Sequence, residues 1–268
     1  MSPLVKKRIR IILVVVAGLG VLTAAGVRVF LWDKYTVPIM MYHHVRANPQ
    51  GRADTVSPER FRAHMLFLKR RGYNVIRLDE LVQGIRHNRD FPRDTVVVTF
   101  DDGYEDNYLY AVDVLKELSL PAIFFVIPGF VNGHEGERYL NFDQMRAMAA
   151  AGLDFGSHTA HHTYLPEASD PTQEFEIVQS KKILEAELKR PVRYFSYPIG
   201  GFNDAIKKKI RQAGYRGAMT TNRGHDFANG DVYELNRIRF GDTDTSSVVL
   251  AVKLSGYYHL FRKQKDPY

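Results

Sequence analysis

The sequence predicts an α/β protein built from parallel strands, arranged either as a β/α barrel or as a doubly wound sheet. Apolar, β-branched runs alternate with helical patterns along residues 36–268, which is the order of elements in βα repeats. Residues 95–100 are apolar on both faces, as expected of a strand that helices cover on both sides. Polar clusters follow several of these runs, where both architectures place their chemistry.

The individual elements follow from these runs in chain order. Strands are predicted at residues 37–42, 95–100, 122–127, 153–156, 194–197 and 217–220. A helix is predicted to begin at Pro58, with Ser57 as its N-cap and with Phe61, Met65 and Leu68 on one face. Further helices are predicted around residues 108–118, 142–151, 172–188 and 203–213.

Residues 1–35 are predicted to form a segment separate from the domain of residues 36–268. The apolar run 11–27 follows four basic residues, Lys6, Lys7, Arg8 and Arg10. At about 1.5 Å per residue it spans about 26 Å, close to the ~30 Å of a bilayer core. We expect a single-pass transmembrane helix in a bacterial cell membrane, with the basic flank in the cytoplasm and the domain outside. A signal peptide cleaved near residues 23–25 is the alternative, and it also exports the domain.

Charge and composition exclude several classes of protein and of site. The net charge is +7, but residues 1–35 hold six basic groups and one acidic group, so the remainder carries only +2. A nucleic-acid partner is therefore not expected, since such a protein needs a basic face on its folded domain. The absence of cysteine excludes disulfides and thiolate metal sites, so any metal must be bound by His, Asp or Glu.

Asp101 and Asp102 directly follow the apolar run at residues 95–100. Neighbouring residues of a strand point to opposite faces, but a strand end followed by Gly103 can turn both carboxylates into one cleft. Two adjacent carboxylates repel each other, so we expect a positive group nearby. Taken alone, the pair is equally compatible with an Asx turn or a helix cap.

His158 and His162 are four residues apart, a spacing that puts both imidazoles on one side of a helical turn. Together with Asp102 they would form an open metal site with space for water. His161 points away at this spacing and is not expected to be a ligand. Taken alone, this histidine pattern is more typical of a surface cluster, and Asp102 at the end of another predicted strand is what favours the metal site.

A metal ion beside a second carboxylate makes a hydrolytic centre. The ion lowers the pKa of water and polarises a carbonyl, and Asp101 would take the proton as general base. A tetrahedral oxyanion also needs a backbone N–H donor, which the turn Tyr197-Pro198-Ile199-Gly200 could supply.

With these motifs the sequence resembles the polysaccharide deacetylases of carbohydrate esterase family 4, the NodB-like domain, over residues 37–239. Residues 99–103 (TFDDG) and 158–162 (HTAHH) match two motifs of the family, and residues 193–200 (RYFSYPIG) resemble a third. Residues 41–45 (MYHHV) resemble the branch of exported poly-N-acetylglucosamine deacetylases.

The resemblance implies a distorted (β/α)7 barrel that removes acetate from an N-acetylated polysaccharide. It implies that Asp101 is the base and that Asp102, His158 and His162 bind a divalent metal ion, usually zinc. Peptidoglycan, chitin oligomers and acetyl esters are alternative substrates, and a non-catalytic glycan-binding barrel is a further alternative.

The sequence also departs from the family pattern. Thr163 stands where Pro is usual, and Ser196 and Ile199 stand where many members have Arg and Tyr. An arginine that orients the base is not evident, and the late motif with a general-acid histidine is not recognisable. His43, His225 and His259 are the candidates for that acid, with His43 first because it follows a predicted strand.

Overall fold

The computed structural model describes residues 34–268 without Pro49, Asn132, His225 and Phe227, and scattered residues between Pro3 and Gly26. The chain divides into two compact units, Met1–Thr36 and Val37–Tyr268. Most of the predicted membrane anchor lies outside the described residues. Among the residues that are described, no helix combines the length and the apolar character that a membrane crossing requires.

The second unit alternates strands and helices. The strands are β1 Ile39–Tyr42, β2 His44–Val45, β3 Thr55–Val56, β4 Asn74–Val75, β5 Thr95–Phe100, β6 Ile123–Val126, β7 Asp154–Ser157, β8 Tyr194–Ser196, β9 Gly217–Met219 and β10 Ile238–Arg239. The α-helices are α1 Pro58–Arg70, α2 Leu78–Arg86, α3 Val112–Glu117, α4 Phe142–Ala150, α5 Asp170–Leu188, α6 Asp204–Gln212 and α7 Ser247–Lys253.

The main sheet is parallel throughout and follows the order β10-β1-β5-β6-β7-β8-β9, with β4 paired to β5. From β5 to β9 each strand lies beside the next one in the chain, whereas a doubly wound sheet reverses its order at a switch point. The edge strands β9 and β10 are linked through residues 235–237, whose backbone hydrogen-bonds to Ala218, Thr220 and Thr221. The sheet is therefore a curled, parallel β/α sheet, consistent with the distorted (β/α)7 barrel that the resemblance implies.

Most predicted elements lie within two residues of their observed bounds, and β5 has the predicted ones. The exceptions have local causes. Ser57 occupies the N-cap position of α1, but its hydroxyl donates to Asp242 and makes no capping bond. The helix expected around residues 108–118 begins as a π-helical turn, Asn107–Ala111, before α3. Helices α2 and α7 were not predicted.

Stacked aromatic rings fix the strand ends that carry the polar clusters. Tyr42 and Phe100 are register partners at the ends of β1 and β5, with ring centroids 5.4 Å apart. Phe100 stacks on Phe124 of β6 at 4.4 Å, with the rings nearly parallel. All three side chains are fully buried. Since aromatic pairs add to the energy of burial, residues 43 and 101 emerge from a rigid base.

Candidate metal centre

The turn after β5 brings both aspartates to one cleft. Asp101 continues the ladder, and its N–H donates to the Tyr42 carbonyl at 2.9 Å. Asp102 and Gly103 then adopt left-handed backbone conformations, with φ of 70° and 77°. A Cβ on Gly103 would lie 2.8 Å from Cγ1 of Val126, so this close approach requires glycine. Both carboxylates are buried.

The two histidines come together through a tight turn, and the predicted helical turn is wrong. Strand β7 ends at Ser157, and the following turn contains two left-handed residues, Thr159 (φ 64°) and His162 (φ 58°). The rings of His158 and His162 nevertheless lie 4.9 Å apart, edge to face. The spacing of four residues therefore predicted the right pair for the wrong geometric reason.

His161 points out of the cleft, as the sequence predicted. Its Nδ1 lies 2.8 Å from Oε1 of Glu176, and its backbone N–H donates to the other oxygen of that carboxylate at 2.8 Å. Glu176 is itself buried on α5. These contacts hold the turn against α5 and turn His161 away from His158 and His162.

Asp102, His158 and His162 have the spacing of a metal site. Oδ1 of Asp102 lies 3.3 Å from Nε2 of His158 and 3.4 Å from Nε2 of His162, and one ligand atom of each residue lies within 4.8 Å of the others. A tetrahedral ion with bonds of about 2.0–2.1 Å separates its ligands by about 3.3–3.4 Å. Oδ1 is also buried without a hydrogen-bond partner. The three residues therefore fit a divalent cation.

The surroundings of His158 orient it as a ligand. Nδ1 donates to the Ser196 carbonyl at 2.7 Å, which leaves the Nε2 lone pair facing Asp102. Burial lowers the pKa of His158, but the charges of Asp101 and Asp102 outweigh it and raise the pKa above its usual value. A cation must displace a proton from protonated His158, so the affinity of the site for the cation falls as the pH is lowered.

The other two ligand side chains are ready to bind a cation at neutral pH. Burial, with the charge of His158 next, lowers the pKa of His162 to about 4. Burial raises the pKa of Asp102, but the neighbouring imidazoles, His158 foremost, hold the pKa well below its usual value. A neutral imidazole and an ionised carboxylate are the forms that coordinate metal ions.

Arg237 is the positive group expected beside the aspartates, and no pattern in the sequence pointed to this residue. Its guanidinium is fully buried and forms a two-pronged ion pair with Asp101, with NH1–Oδ1 of 2.7 Å and NH2–Oδ2 of 2.5 Å. Its remaining N–H groups donate to the Thr220 carbonyl and to the hydroxyls of Thr99 and Ser196. Burial raises the pKa of Asp101, but the charge of Arg237 holds the pKa below its usual value. Asp101 is thus kept ionised.

Ser196 explains how Arg237 reaches Asp101. The family resemblance placed the missing arginine at position 196, at the end of β8. The serine there is small, and its hydroxyl accepts from Arg237 and lies 3.4 Å from Oδ2 of Asp101. Arg237 enters the same space from the position just before β10, 136 residues from Asp101 along the chain. An arginine beside Asp101 is present, but it comes from a different part of the chain.

The charges of Asp101 and Asp102 act on the imidazole of His43. Burial lowers the pKa of its imidazole, against the opposing charges of Asp102 and Asp101. Its Nδ1 is buried without a hydrogen-bond partner, and its carbonyl accepts from Nδ2 of Asn107 at 2.7 Å. Asn107 opens the π-helical turn, and such turns often occur at functional sites.

The remaining candidates for the general acid are His225 and His259. His225 lies outside the described residues. His259 lies in a short 3₁₀ turn, Tyr258–Phe261, after α7. It does not belong to the group of possible metal ligands, which comprises Asp102, His158 and His162.

The turn Tyr197-Pro198-Ile199-Gly200 offers one backbone donor. Tyr197 is fully buried, its N–H donates to the Met219 carbonyl, and its hydroxyl donates to the Tyr233 carbonyl. The Gly200 N–H donates to the Tyr197 carbonyl, and Pro198 has no N–H. Ile199 is left-handed, with φ of 57°, and is 55% exposed. Its N–H is therefore the donor that this turn can offer to a ligand.

Comparisons with known proteins relate this chain to polysaccharide deacetylases. The sequence profile of the family described as Polysaccharide deacetylase matches residues 88–218. YxkH of Bacillus subtilis (strain 168), whose name assigns it to the polysaccharide deacetylases, is 32% identical over 203 residues, which cover 76% of this chain and 71% of that protein. A poly-beta-1,6-N-acetyl-D-glucosamine N-deacetylase of Staphylococcus aureus (strain N315) is 27% identical, covering 70% and 68%.

Among solved structures, the chain is similar to the Streptococcus pyogenes deacetylase PplD in complex with acetate. The TM-score is 0.73 at 29% sequence identity, and the match covers 81% of this chain and 97% of PplD. The match with YxkH likewise spans most of both chains. The chain belongs to the polysaccharide deacetylase family.

Proposed function

We propose that this protein is a metal-dependent deacetylase that removes N-acetyl groups from an extracytoplasmic polysaccharide of the N-acetylglucosamine type. The observation that carries the proposal is the cluster of Asp102, His158 and His162 beside a buried, arginine-paired Asp101. The Staphylococcus aureus relative, named for its action on poly-beta-1,6-N-acetyl-D-glucosamine, supports the substrate class. The cation is proposed to be zinc, because two imidazoles and a carboxylate at tetrahedral spacing suit that ion.

The residues then divide the work of amide hydrolysis. When bound, a divalent cation lowers the pKa of water and polarises the acetamide carbonyl. Asp101 takes the proton of the attacking water, and Arg237 keeps it ionised and oriented for that task. The Ile199 N–H stabilises the developing oxyanion. The products are acetate and a free amine on the sugar.

His43 is proposed as the group that protonates the leaving amine. It emerges from β1 within the field of both aspartates, and its Nδ1 is available for a hydrogen bond. Because burial lowers its pKa, the imidazole is neutral at pH 7 and has to be protonated during turnover. His43→Gln should therefore lower kcat by about 10²-fold or more, and KM should change less. Initial rates of acetate release measure both constants, and an unchanged kcat would remove His43 from this role.

A panel of substrates separates the proposed activity from its alternatives. Acetate release is measured with poly-N-acetylglucosamine, peptidoglycan, chitin oligomers and a small acetyl ester, with and without a chelator. We expect release from the N-acetylglucosamine polymer, loss of release with the chelator and recovery after zinc is added. Binding of a glycan without release of acetate from any substrate would favour the non-catalytic barrel instead.

A matched pair of variants tests the metal ligands. His162→Ala should lose metal affinity by about 10²-fold or more, because it removes a ligand and leaves two. His161→Ala should keep the metal, because His161 contacts Glu176 and not the cleft. Metal content after dialysis against a competing chelator measures both. Equal losses in the two variants would contradict the assignment of ligands.

We also propose that residues 36–268 act outside the cytoplasm, tethered by residues 1–35. The apolar run 11–27 and its basic flank support this location. Digestion of intact cells by an added protease measures it. Degradation of the domain with a cytoplasmic marker intact is expected, and protection of the domain would contradict export.

A further inference from the structure

A cavity of about 400 Å³ opens beside β10, apart from the three metal ligands. Its wall is unusually rich in basic side chains. The charged and aromatic residues that line it are Arg52, Arg239, Asp242, Asp244, Lys253, Tyr258 and Arg262. Four of these are cations and two are anions, so the wall has a positive balance before its internal pairs are considered.

The acidic side chains of the wall are already engaged. Asp242 accepts from the N–H and the hydroxyl of Ser57 at 2.7 and 2.8 Å. Asp244 is paired with Lys253 at 2.5 Å and also accepts from the Gly241 N–H. These contacts hold both carboxylates in the protein framework.

Two of the cations have no such partner. Arg52 is neutralised by Asp54 at 2.8 Å, and Lys253 by Asp244. Within the part of the chain that the structure describes, no ion pair is formed by Arg239 or Arg262. The cavity therefore presents two guanidinium groups whose charge the protein does not compensate.

Arg239 lies on β10, two residues after the arginine that pairs with Asp101. In the register of β10 with β1, Arg239 pairs with Met41, which is two residues before His43. The charge of Arg239 also acts on His43, whose pKa it helps to lower. The cavity thus adjoins the centre at which the reaction is proposed to occur.

Arg262 is held in place at the other wall. Its NH1 donates to the Arg237 carbonyl at 3.0 Å, and its guanidinium lies 5.7 Å from the ring centroid of Tyr258. Burial lowers the pKa of Arg262, and the charge of Arg239 lowers it further. Two guanidinium groups that line one cavity attract an anion, and a guanidinium fork suits a carboxylate or a phosphate.

We infer that this cavity is a subsite for an anionic group, a carboxylate or a phosphate, carried by a sugar near the one that is deacetylated. The inference rests on the proposed function and narrows its substrate to an acidic N-acetylated glycan. Arg239 and Arg262 would bind the anion, and Tyr258 would line the path of the sugar chain. Neutral polymers would be poorer substrates, because they leave the two guanidinium groups unpaired.

The test uses three N-acetylglucosamine tetrasaccharides, one neutral, one with a lactyl carboxylate and one with a phosphate monoester. Initial rates of acetate release give kcat/KM for each with the zinc-loaded full chain. We expect kcat/KM to be at least about tenfold higher for an acidic oligomer, mainly through KM, and the advantage to shrink at high salt. Preference for both acidic oligomers supports a general anion subsite, and preference for one identifies the source of the anion.

Variants of the two arginines test whether the cavity causes the preference for acidic oligomers. Arg239→Gln, alone and with Arg262→Gln, should lower the ratio of acidic to neutral kcat/KM at least about tenfold. Arg89→Gln is the control. It removes an exposed arginine in the loop before β5, at the amino end of that strand, and should preserve the ratio of acidic to neutral kcat/KM. No preference in the wild type, or a ratio that survives in the double variant, overturns the subsite.

A binding measurement separates this inference from the proposed activity. Calorimetric titration with the same tetrasaccharides reports the subsite even if no acetate is released. Tighter binding of an acidic oligomer to the wild type, lost in the double variant, supports the subsite. Equal affinity for neutral and acidic oligomers overturns it, while the absence of acetate release from all of them would count against the deacetylase alone.

Discussion

Replacing Asp101 with Asn is expected to lower kcat/KM for acetate release by about 10³-fold while the metal ion stays bound. The amide has nearly the shape of the carboxylate but cannot take a proton from water. The three metal ligands, Asp102, His158 and His162, are unchanged, so the cation should remain at its site. Initial rates and metal content, measured on the same preparation, separate a lost base from a lost metal.

Asp106→Asn is the matched control. Asp106 lies five residues further along and contacts Nδ1 of His44 and the Val45 N–H instead of the cleft. We expect the Asp106→Asn variant to keep its activity within about tenfold of the wild type, because this substitution removes no proton acceptor from the reaction. If Asp101→Asn behaved like this control, the assignment of the base would be wrong.

Replacing Arg237 with Leu is expected to cost the folded state about 3–5 kcal/mol, because it leaves a buried carboxylate without its partner. All guanidinium contacts of Arg237 lie in the protein interior, and the two shortest are to Asp101. Removing both partners, in the double variant Arg237→Leu with Asp101→Leu, should recover part of that loss. Denaturant unfolding of the two single variants and the double variant measures the coupling.

Arg237→Leu alone should also shift the pH dependence of kcat/KM in a defined direction. In the wild type the pKa of Asp101 is below its unfolded value, so its ion pair stabilises the fold above about pH 4 and this stabilisation is lost as the pH falls through the folded pKa. Without Arg237 the largest influence that lowers the pKa of Asp101 is lost, so this pKa rises. The acid limb of kcat/KM should then move to higher pH, and Arg237→Lys should restore it in part. A variant with reduced stability and an unshifted acid limb would make Arg237 a structural residue only.

The sequence predicted the parts of the site that neighbouring residues encode. An apolar, β-branched strand ending in Asp101-Asp102-Gly103 carries its own signal, and β5 has the predicted bounds. The burial that this pattern indicates is complete along the strand. Strand ends of a parallel sheet meet at one edge, so the position of Asp102 near His158 followed from topology.

Features that depend on distant residues were not predictable. Arg237 precedes a two-residue strand, belongs to no recognisable motif and meets Asp101 only after the sheet has curled. The turn at 159–162 contains a left-handed threonine and a left-handed histidine, which local preference disfavours by about 1–2 kcal/mol each. Tertiary contacts such as that of His161 with Glu176 favour the turn, and a spacing rule cannot show them.

Titration of zinc into the metal-free protein, with acetate release from an N-acetylglucosamine oligomer as the readout, tests the central claim most directly. Asp102, His158 and His162 form a single group of ligands in the described part of the chain. We therefore predict no release without metal, a linear rise in activity and saturation at one ion per chain. Activity that is present in the metal-free protein and does not respond to zinc would contradict the account.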